Sequence, residues 1–314
     1  MTLNEMEMRQ VLAAELEKHM TANKNIVVID ADLSKPNGTF PLKAKFPDRV
    51  INVGIAEQNM ASVAAGMASY GMIPFIFTFT PFASRRIADQ AAISCAYAGQ
   101  NVKIFGTDPG VAAEINGGTH MSMEDIGIMR AIPGIAVFEP VDAFQLAAAM
   151  PAIINYQGTL YVRMWRKKIE TVFNENYKFD FNTADIVKAG KDVTIFATGL
   201  MTQQTVKATD ALLAAGIDAE IINVHTIKPL DEKTIINSLK KTGAVVVCEN
   251  GNYCGGLCEA IAGVSVRNLP APIEFVAVND RFGQVGKLDF LTTEYNLMPA
   301  DIVAAVKKVI KRKI

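Results

Sequence analysis

One carboxylate stands out for its position. Glu57 follows the apolar segment "NVGIA" and opens the alanine-rich "EQNMASVAAGMAS", a pattern that predicts a helix with a buried first turn. An acid there has two readings: a helix-start glutamate meeting free backbone amides, or a group kept in a cleft to exchange a proton. His120 is the second candidate. It ends "NGGTH" in a long glycine-rich stretch, where the glycines permit close backbone approach to a ligand. An imidazole there suits donation to an oxygen on which charge develops. The thiols promise less. Cys254 and Cys258 lie four apart with no histidine near them, so metal ligation is not expected, and with Cys95 and Cys248 they are expected to be reduced and structural. No phosphate-binding signature accompanies these groups: GxGxxG, GxxxxGK[ST], GxSxG and even the dipeptide Asp-Gly are absent.

The elements that must position these residues alternate. Strand-like runs from "NIVVID" to "TLYVRM", and again from "VTIFATG" to "IEFVAV", are separated by helical stretches. The alternation predicts an α/β protein of two domains, each a mostly parallel sheet flanked by helices. The first spans 1–166 and the second 192–314. Residues 167–191, rich in charge, Asn and aromatic groups, read as a linker with room for a short hairpin. Helices are expected after Glu57, over 83–98, from Asp142, over 203–215, from Asp231, through Cys258 and from Pro299. Ligands of open parallel sheets gather beyond the carboxyl ends of the strands, which singles out "DADLSKPNGT", "TFTPFASRR", "TDPGVAAEINGGTHMSMED" and "GNYCGGLCE".

Composition narrows the class of function. The chain has 314 residues, half of them hydrophobic and a fifth charged, so a substantial core is assured. Lys and Arg number 31 against 32 Asp and Glu, a balance without an electrostatic footprint for nucleic acid or an anionic membrane. No apolar run approaches the roughly 20 residues of a spanning helix. The acidic start, "MTLNEMEMRQ", is unlike a signal peptide, and a cytoplasmic location is expected.

In order along the chain, "VGIAEQNM", "TFTPFASRRIADQ", "NGGTHMSMEDIGIMRAIPGIAVFEPVD", "TLYVRMWR" and "INVHTIKPLD" resemble the carboxyl-terminal half of transketolase. The resemblance implies a thiamine diphosphate pyrimidine-binding domain followed by the transketolase C-terminal domain, as the carboxyl-terminal subunit of a split enzyme. It implies that thiamine diphosphate places its pyrimidine end on this chain, with no metal site here. The diphosphate and Mg²⁺ would lie on an N-terminal partner subunit in an α2β2 assembly that also involves self-association of this chain. The implied reaction is transfer of a two-carbon ketol unit between ketose and aldose phosphates, as in the pentose phosphate pathway.

Residue by residue, Glu57 matches the acid that hydrogen-bonds the pyrimidine N1′, so that the cofactor's own 4′-amino group can act as base. Burial among Val53, Ile55 and Ala56 is expected to raise its pKa. Phe79 and Phe82 match the aromatic pair around the pyrimidine, with Phe82 the stacking partner, while Arg85 departs from the family's third aromatic position. Asp32 matches an aspartate on the thiazolium side. His120 matches a histidine that contacts donor oxygens near C2. Asn116 stands where many transketolases have an aspartate reading a substrate hydroxyl, and Asp108 replaces another family histidine. Arg9 and Arg166 match arginines that bind the sugar's phosphate, with Arg163 an alternative to Arg166. His225 is taken as structural. Rival readings are the beta subunit of a 2-oxo acid dehydrogenase, a deoxyxylulose-phosphate synthase half, and a non-catalytic partner regulating a thiamine enzyme. The arginines and "GGTH" favour transketolase.

Overall fold

Runs of β-branched and aromatic residues form two sheets in the computed structural model, which describes residues 2–313. The first sheet takes β1 (Ile26–Asp30), β2 (Val50–Asn52), β3 (Ile73–Phe79), β4 (Lys103–Thr107), β5 (Ala136–Phe138) and β6 (Leu160–Met164), all parallel. The second takes β7 (Asp185–Lys188), β8 (Val193–Ala197) and β9 (Ala219–Asn223). Then β10 (Thr226–Lys228) leaves for the first sheet, and β11 (Val245–Asn252) and β12 (Ile273–Val278) complete the second. The strand orders are β10-β5-β6-β4-β3-β1-β2 and β12-β11-β8-β9-β7. Strands β1, β4, β6 and β8 are buried along their whole length, as sheets covered by helices on both faces require. Among the described residues no helix is long and apolar enough to cross a membrane.

Three local features differ from the sequence reading. In place of a hairpin, the 167–191 stretch contributes β7, which pairs antiparallel with β9 at the edge of the second sheet. Strand β10, inside "INVHTIKPLD", pairs antiparallel with β5 and covers an edge of the first sheet that would otherwise stay unpaired. The helix expected over 83–98 is broken. One turn, Thr80–Ala83, ends at Ser84, whose hydroxyl donates back to the Thr80 carbonyl at 2.7 Å, and a π-helix follows over Gln90–Tyr97.

The two sheets are tied by a buried polar cluster. Arg163, on β6, is fully buried and donates to Asp125 through Nε at 2.8 Å, to both Glu139 oxygens at 2.9 Å and to the Asn250 carbonyl at 2.8 Å. Thr198, from the second domain, donates to Glu139 at 3.0 Å, and Tyr161 donates to Asp125 at 2.9 Å. The cluster excludes Arg163 as a solvent-facing anion ligand, so of the two arginines only Arg166 remains a candidate. His225 is fully buried against the Phe138 and Phe179 rings, its backbone carbonyl accepting from Glu139 N–H at 2.8 Å; burial pushes its imidazole down to about 4.

The end of β11 then reaches across the junction. Asn250 accepts from the Val111 N–H at 3.0 Å and donates to the Pro109 carbonyl at 2.9 Å, so the second domain holds the start of the glycine-rich loop. Gly110, at φ +53°, lies so close that any Cβ would strike Asn250. Next to it Glu249 accepts the amides of Leu257 and Cys258 at 3.0 and 2.8 Å, where burial pushes its carboxyl up to about 7 against the pull of those amides and of Arg163.

Two outcomes are expected. Asn250→Ala leaves the Val111 amide and the Pro109 carbonyl without their buried partner and should cost about 1–3 kcal/mol in urea unfolding; an unchanged midpoint would show that the loop holds itself. A carboxyl whose pKa rises on folding contributes stability that is lost as pH climbs through the folded value, about 7 for Glu249. Glu249→Gln should therefore gain on the wild type between about pH 5 and pH 8 in denaturation measurements, whereas a constant difference would rule out this titration.

Candidate active site

Glu57 is the first residue of the Glu57–Ser69 helix, whose N-cap, Ala56, supplies no side-chain cap. Met60, Ala61, Ala64 and Ala65 bury one face of that helix and set its first turn beyond the carboxyl ends of β1 and β3. The carboxyl group is only 4% exposed. Of the apolar residues expected around it, Val53 and Ala56 are half-buried, but Ile55 is 78% exposed, where the chain turns through Gly54 at φ +74° before the helix begins. What meets the carboxylate instead is the guanidinium of Arg86, with Nη1 at 2.7 Å from Oε1.

Arg86 is the site residue that the motif reading missed. Its guanidinium also lies over the Phe82 ring, 3.9 Å from the centroid. The only sequence signal was its place in "TFTPFASRR", four residues beyond Phe82, and the helix breaks between the two at Ser84.

Phe79 ends β3 and Phe82 sits in the single turn after it, so both rings face the same opening, with centroids 6.3 Å apart. His120 closes the group edge-on, 6.0 Å from Phe79 and 5.3 Å from Phe82. Its backbone N–H donates to Gly117 at 3.0 Å, and Nδ1 lies 2.9 Å from the Thr119 hydroxyl. Gly118 permits this tight turn, since a Cβ there would strike the Gly283 carbonyl of the second domain.

Beyond Phe79 the line continues with Arg166, whose guanidinium lies 4.6 Å from that ring's centroid. Asp108 grips the same arginine, accepting from its Nε at 2.6 Å and from its backbone N–H at 3.1 Å. Burial raises the Asp108 carboxyl above its ordinary value, and Arg166 opposes the shift. Arg9 is brought alongside through its backbone, its N–H donating to the Arg166 carbonyl at 3.1 Å, while its side chain reaches Glu7 and the Pro36 carbonyl. Glu57, through Arg86, and then Phe82, His120, Phe79 and Arg166 form one chain of side-chain contacts, and Arg9 joins its end through the backbone.

The remaining predicted residues lie apart from these contacts. Asn116 is exposed at the end of the Gly110–Asn116 turn, in the loop that carries His120. Asp32 is exposed, at φ +62°, with its backbone N–H donating to Asn52; the acid buried in that segment is Asp30, held by Thr39 at 2.6 Å and Asn37 at 3.3 Å and pushed by burial up to about 6. Arg85 points to Glu124, 2.7 Å away, and takes no place beside the rings. The four thiols are free, with Cys254 exposed and the other three buried. Among the described residues no group of three or more His, Cys, Asp or Glu side chains is arranged to hold a metal.

Comparison with known proteins bears directly on this geometry. The family model of the transketolase pyrimidine-binding domain matches residues 4–171, and that of the transketolase C-terminal domain matches 182–302. The 6-deoxy-6-sulfo-D-fructose transketolase subunit SqwH of Clostridium sp. (strain MSTE9) is 46% identical over 311 residues, 99% of this chain and 97% of that protein. A protein of Methanocaldococcus jannaschii described as a transketolase C-terminal section is 38% identical over 293 residues, 92% of each chain. A solved split-gene transketolase, described as an inactive β4 tetramer, matches with a TM-score of 0.92 at 37% identity, covering 98% of this chain and all of that one. Two domain models in sequence and near-complete coverage in both directions lead to one conclusion: the chain belongs to the transketolase family, with the family's pyrimidine-binding domain followed by its C-terminal domain.

Proposed function

We propose that the chain is the carboxyl-terminal subunit of a thiamine diphosphate-dependent transketolase that moves a two-carbon ketol unit from a ketose to an aldose. The observation that carries this reading is the buried Glu57 carboxylate beside a wall made by Phe82, Phe79 and His120. A planar heterocycle with a protonatable nitrogen fits such a place: the rings offer an aromatic face and the acid offers a proton-sharing partner. Glu57 would hold the proton at the pyrimidine N1′, and Phe82 would stack on the ring. Arg86 now occupies both the Phe82 face and the Glu57 carboxylate, so on this reading cofactor entry displaces its guanidinium. When bound, the cofactor supplies the electron sink for breaking and making the carbon–carbon bond.

The other residues divide the substrate between them. With Nδ1 engaged by the Thr119 hydroxyl, His120 keeps Nε2 for a donor oxygen near the reacting carbon. Asn116 would read a hydroxyl, Asp32 would flank the thiazolium side, and Arg9 and Arg166 would meet the far end of the sugar. Ketose and aldose phosphates are the substrates that the family resemblance implies. The relative that acts on 6-deoxy-6-sulfofructose supports testing sulfonated ketoses beside them.

A diphosphate and Mg²⁺ site belongs, on this reading, to an N-terminal partner subunit in an α2β2 assembly. The lack of any phosphate-cradling motif and the likeness to a split-gene transketolase support it. So do the large apolar side chains exposed near the cleft and its loop: Ile55, Ile115, Phe282 and Val285 are between 66% and 88% exposed.

The test is ketol transfer by this chain mixed with an N-terminal subunit that carries the diphosphate-binding domain; absence of transfer from every ketose supplied would refute the assignment. In that complex Glu57→Gln should lower kcat by about 10²–10⁴-fold, the range for losing a proton-transfer group. Arg86, already 43% exposed, can turn to water when its partner is neutral, so the melting temperature should hold. Turnover close to that of the wild type would remove Glu57 from the chemistry.

A further inference from the structure

The second sheet ends in an open edge. Strand β12 (Ile273–Val278) lies last in the order β12-β11-β8-β9-β7, and among the described residues no strand pairs with its outer side. The Val245 and Tyr253 N–H groups donate to the carbonyls of Pro272 and Val278 at 3.1 and 3.2 Å, so the even-numbered residues face β11. Ile273, Phe275 and Ala277 therefore turn their N–H and C=O groups outward. Arg312 covers only the Ile273 carbonyl, at 3.1 Å. A groove of about 450 Å³ runs beside the other two, lined by Phe275, Val276 and Ala277 together with Asp301, Ala304 and Ala305 of the last helix, Pro299–Ile310. Its lining comes from both faces of the strand, so the groove is the sheet edge itself.

An unpaired edge accepts a further strand, and this one is complementary to itself. A twofold axis at Val276 sets Phe275 opposite Ala277 of a second copy, and Ala277 opposite Phe275 of that copy. The backbone groups of both pairs then face each other, and each pair exchanges two hydrogen bonds, four in all. On one face of the joined sheet the Phe275 ring, 40% exposed and stacked on Tyr253, meets the small Ala277 side chain. On the other face the last helix packs on both β11 and β12, so its axis stands about one strand spacing, about 4.8 Å, from the twofold. Two such helices come about 10 Å apart, the separation of packed helices. Ala304 and Ala305 are small enough for that approach. Antiparallel pairing about these alanines brings Asp301 opposite Lys308 of the second copy. Glu274, which Lys308 meets at 2.7 Å within the chain, keeps Arg312 when the lysine turns away.

We propose that β12 is a self-association edge, through which two copies of this chain pair antiparallel at Phe275 and Ala277 and join their five-stranded sheets into one. The occupant is a second copy because the strand, the rings and the helix charges all find their complements about the same axis. No step of ketol transfer enters the inference, so its failure leaves that reading where it stands.

Sedimentation of the full chain measures the association, and the wild type should be dimeric. Ala277→Pro removes an outward N–H, which an edge strand tolerates, and with it two of the four shared bonds, so the dimer Kd should rise about tenfold or more with an unchanged circular dichroism spectrum. Asp301→Lys and Lys308→Asp should each weaken the dimer, and the double variant should restore it. Val276→Cys, made with Cys254→Ser to remove the exposed native thiol, should give a disulfide-linked dimer on mild oxidation, since the twofold brings the two Cα atoms about 4.5 Å apart. A wild type that stays monomeric at its solubility limit overturns the proposal, as does a dimer that neither the proline nor the charge changes weaken. If Ala277→Pro does not fold, the cross-link decides, and its absence refutes the pairing. Protection of the Phe275 and Ala277 amides from hydrogen exchange only after an N-terminal subunit is added would give the edge to that subunit and overturn self-pairing.

Discussion

Arg163 ties the two halves of this protein together, and the cleft depends on that tie. A guanidinium with no exposure is costly to bury, and it is tolerated because Asp125, Glu139, and the Asn250 carbonyl satisfy its donors from both domains. Such a cluster contributes little net stability against an apolar core of the same volume. Its effect is orientation, since removing any partner strands a buried charge and so penalises every other arrangement of the two sheets.

From that fixed junction the second domain gains a part in the candidate chemistry without lending a group to it. Asn250 clamps the start of the loop that ends at His120, and residues near Gly283 press on the same loop further along. The imidazole is thus placed against Phe82 by contacts from more than 100 residues away in the chain. A similar economy governs charge: Glu57, Arg86, Phe82, His120, Phe79, Arg166 and Asp108 follow one another as an ion pair, three rings and a second ion pair, each guanidinium held by a carboxylate on one side and an aromatic face on the other. A guanidinium can serve both neighbours at once because it is planar, and its fork meets an acid while its face meets a ring.

Much of the fold was legible without coordinates. The long alternating runs announced parallel strands and covering helices, since a strand buried on both faces must be continuously apolar and a helix between strands must be amphipathic. The short pieces were not legible. Strand β10 has three residues and β7 four, too few for any period to show, and both owe their existence to an edge that needed a partner. The interrupted helix after Phe82 escaped for a related reason, because a single serine hydroxyl returning to a carbonyl ends the first turn while the composition around it still favours a helix.

At the site, residue type and position nominated Glu57 and His120, and the resemblance to transketolase added Phe79, Phe82, Arg9 and Arg166. Only the tertiary structure decided what each one faces. It gave Glu57 an arginine partner, took Arg163 into the interior, left Asp32 exposed and set Asp108 against Arg166. Pairing is a property of distance between elements far apart in the chain, and a sequence read in one dimension holds the charges without saying which of them meet.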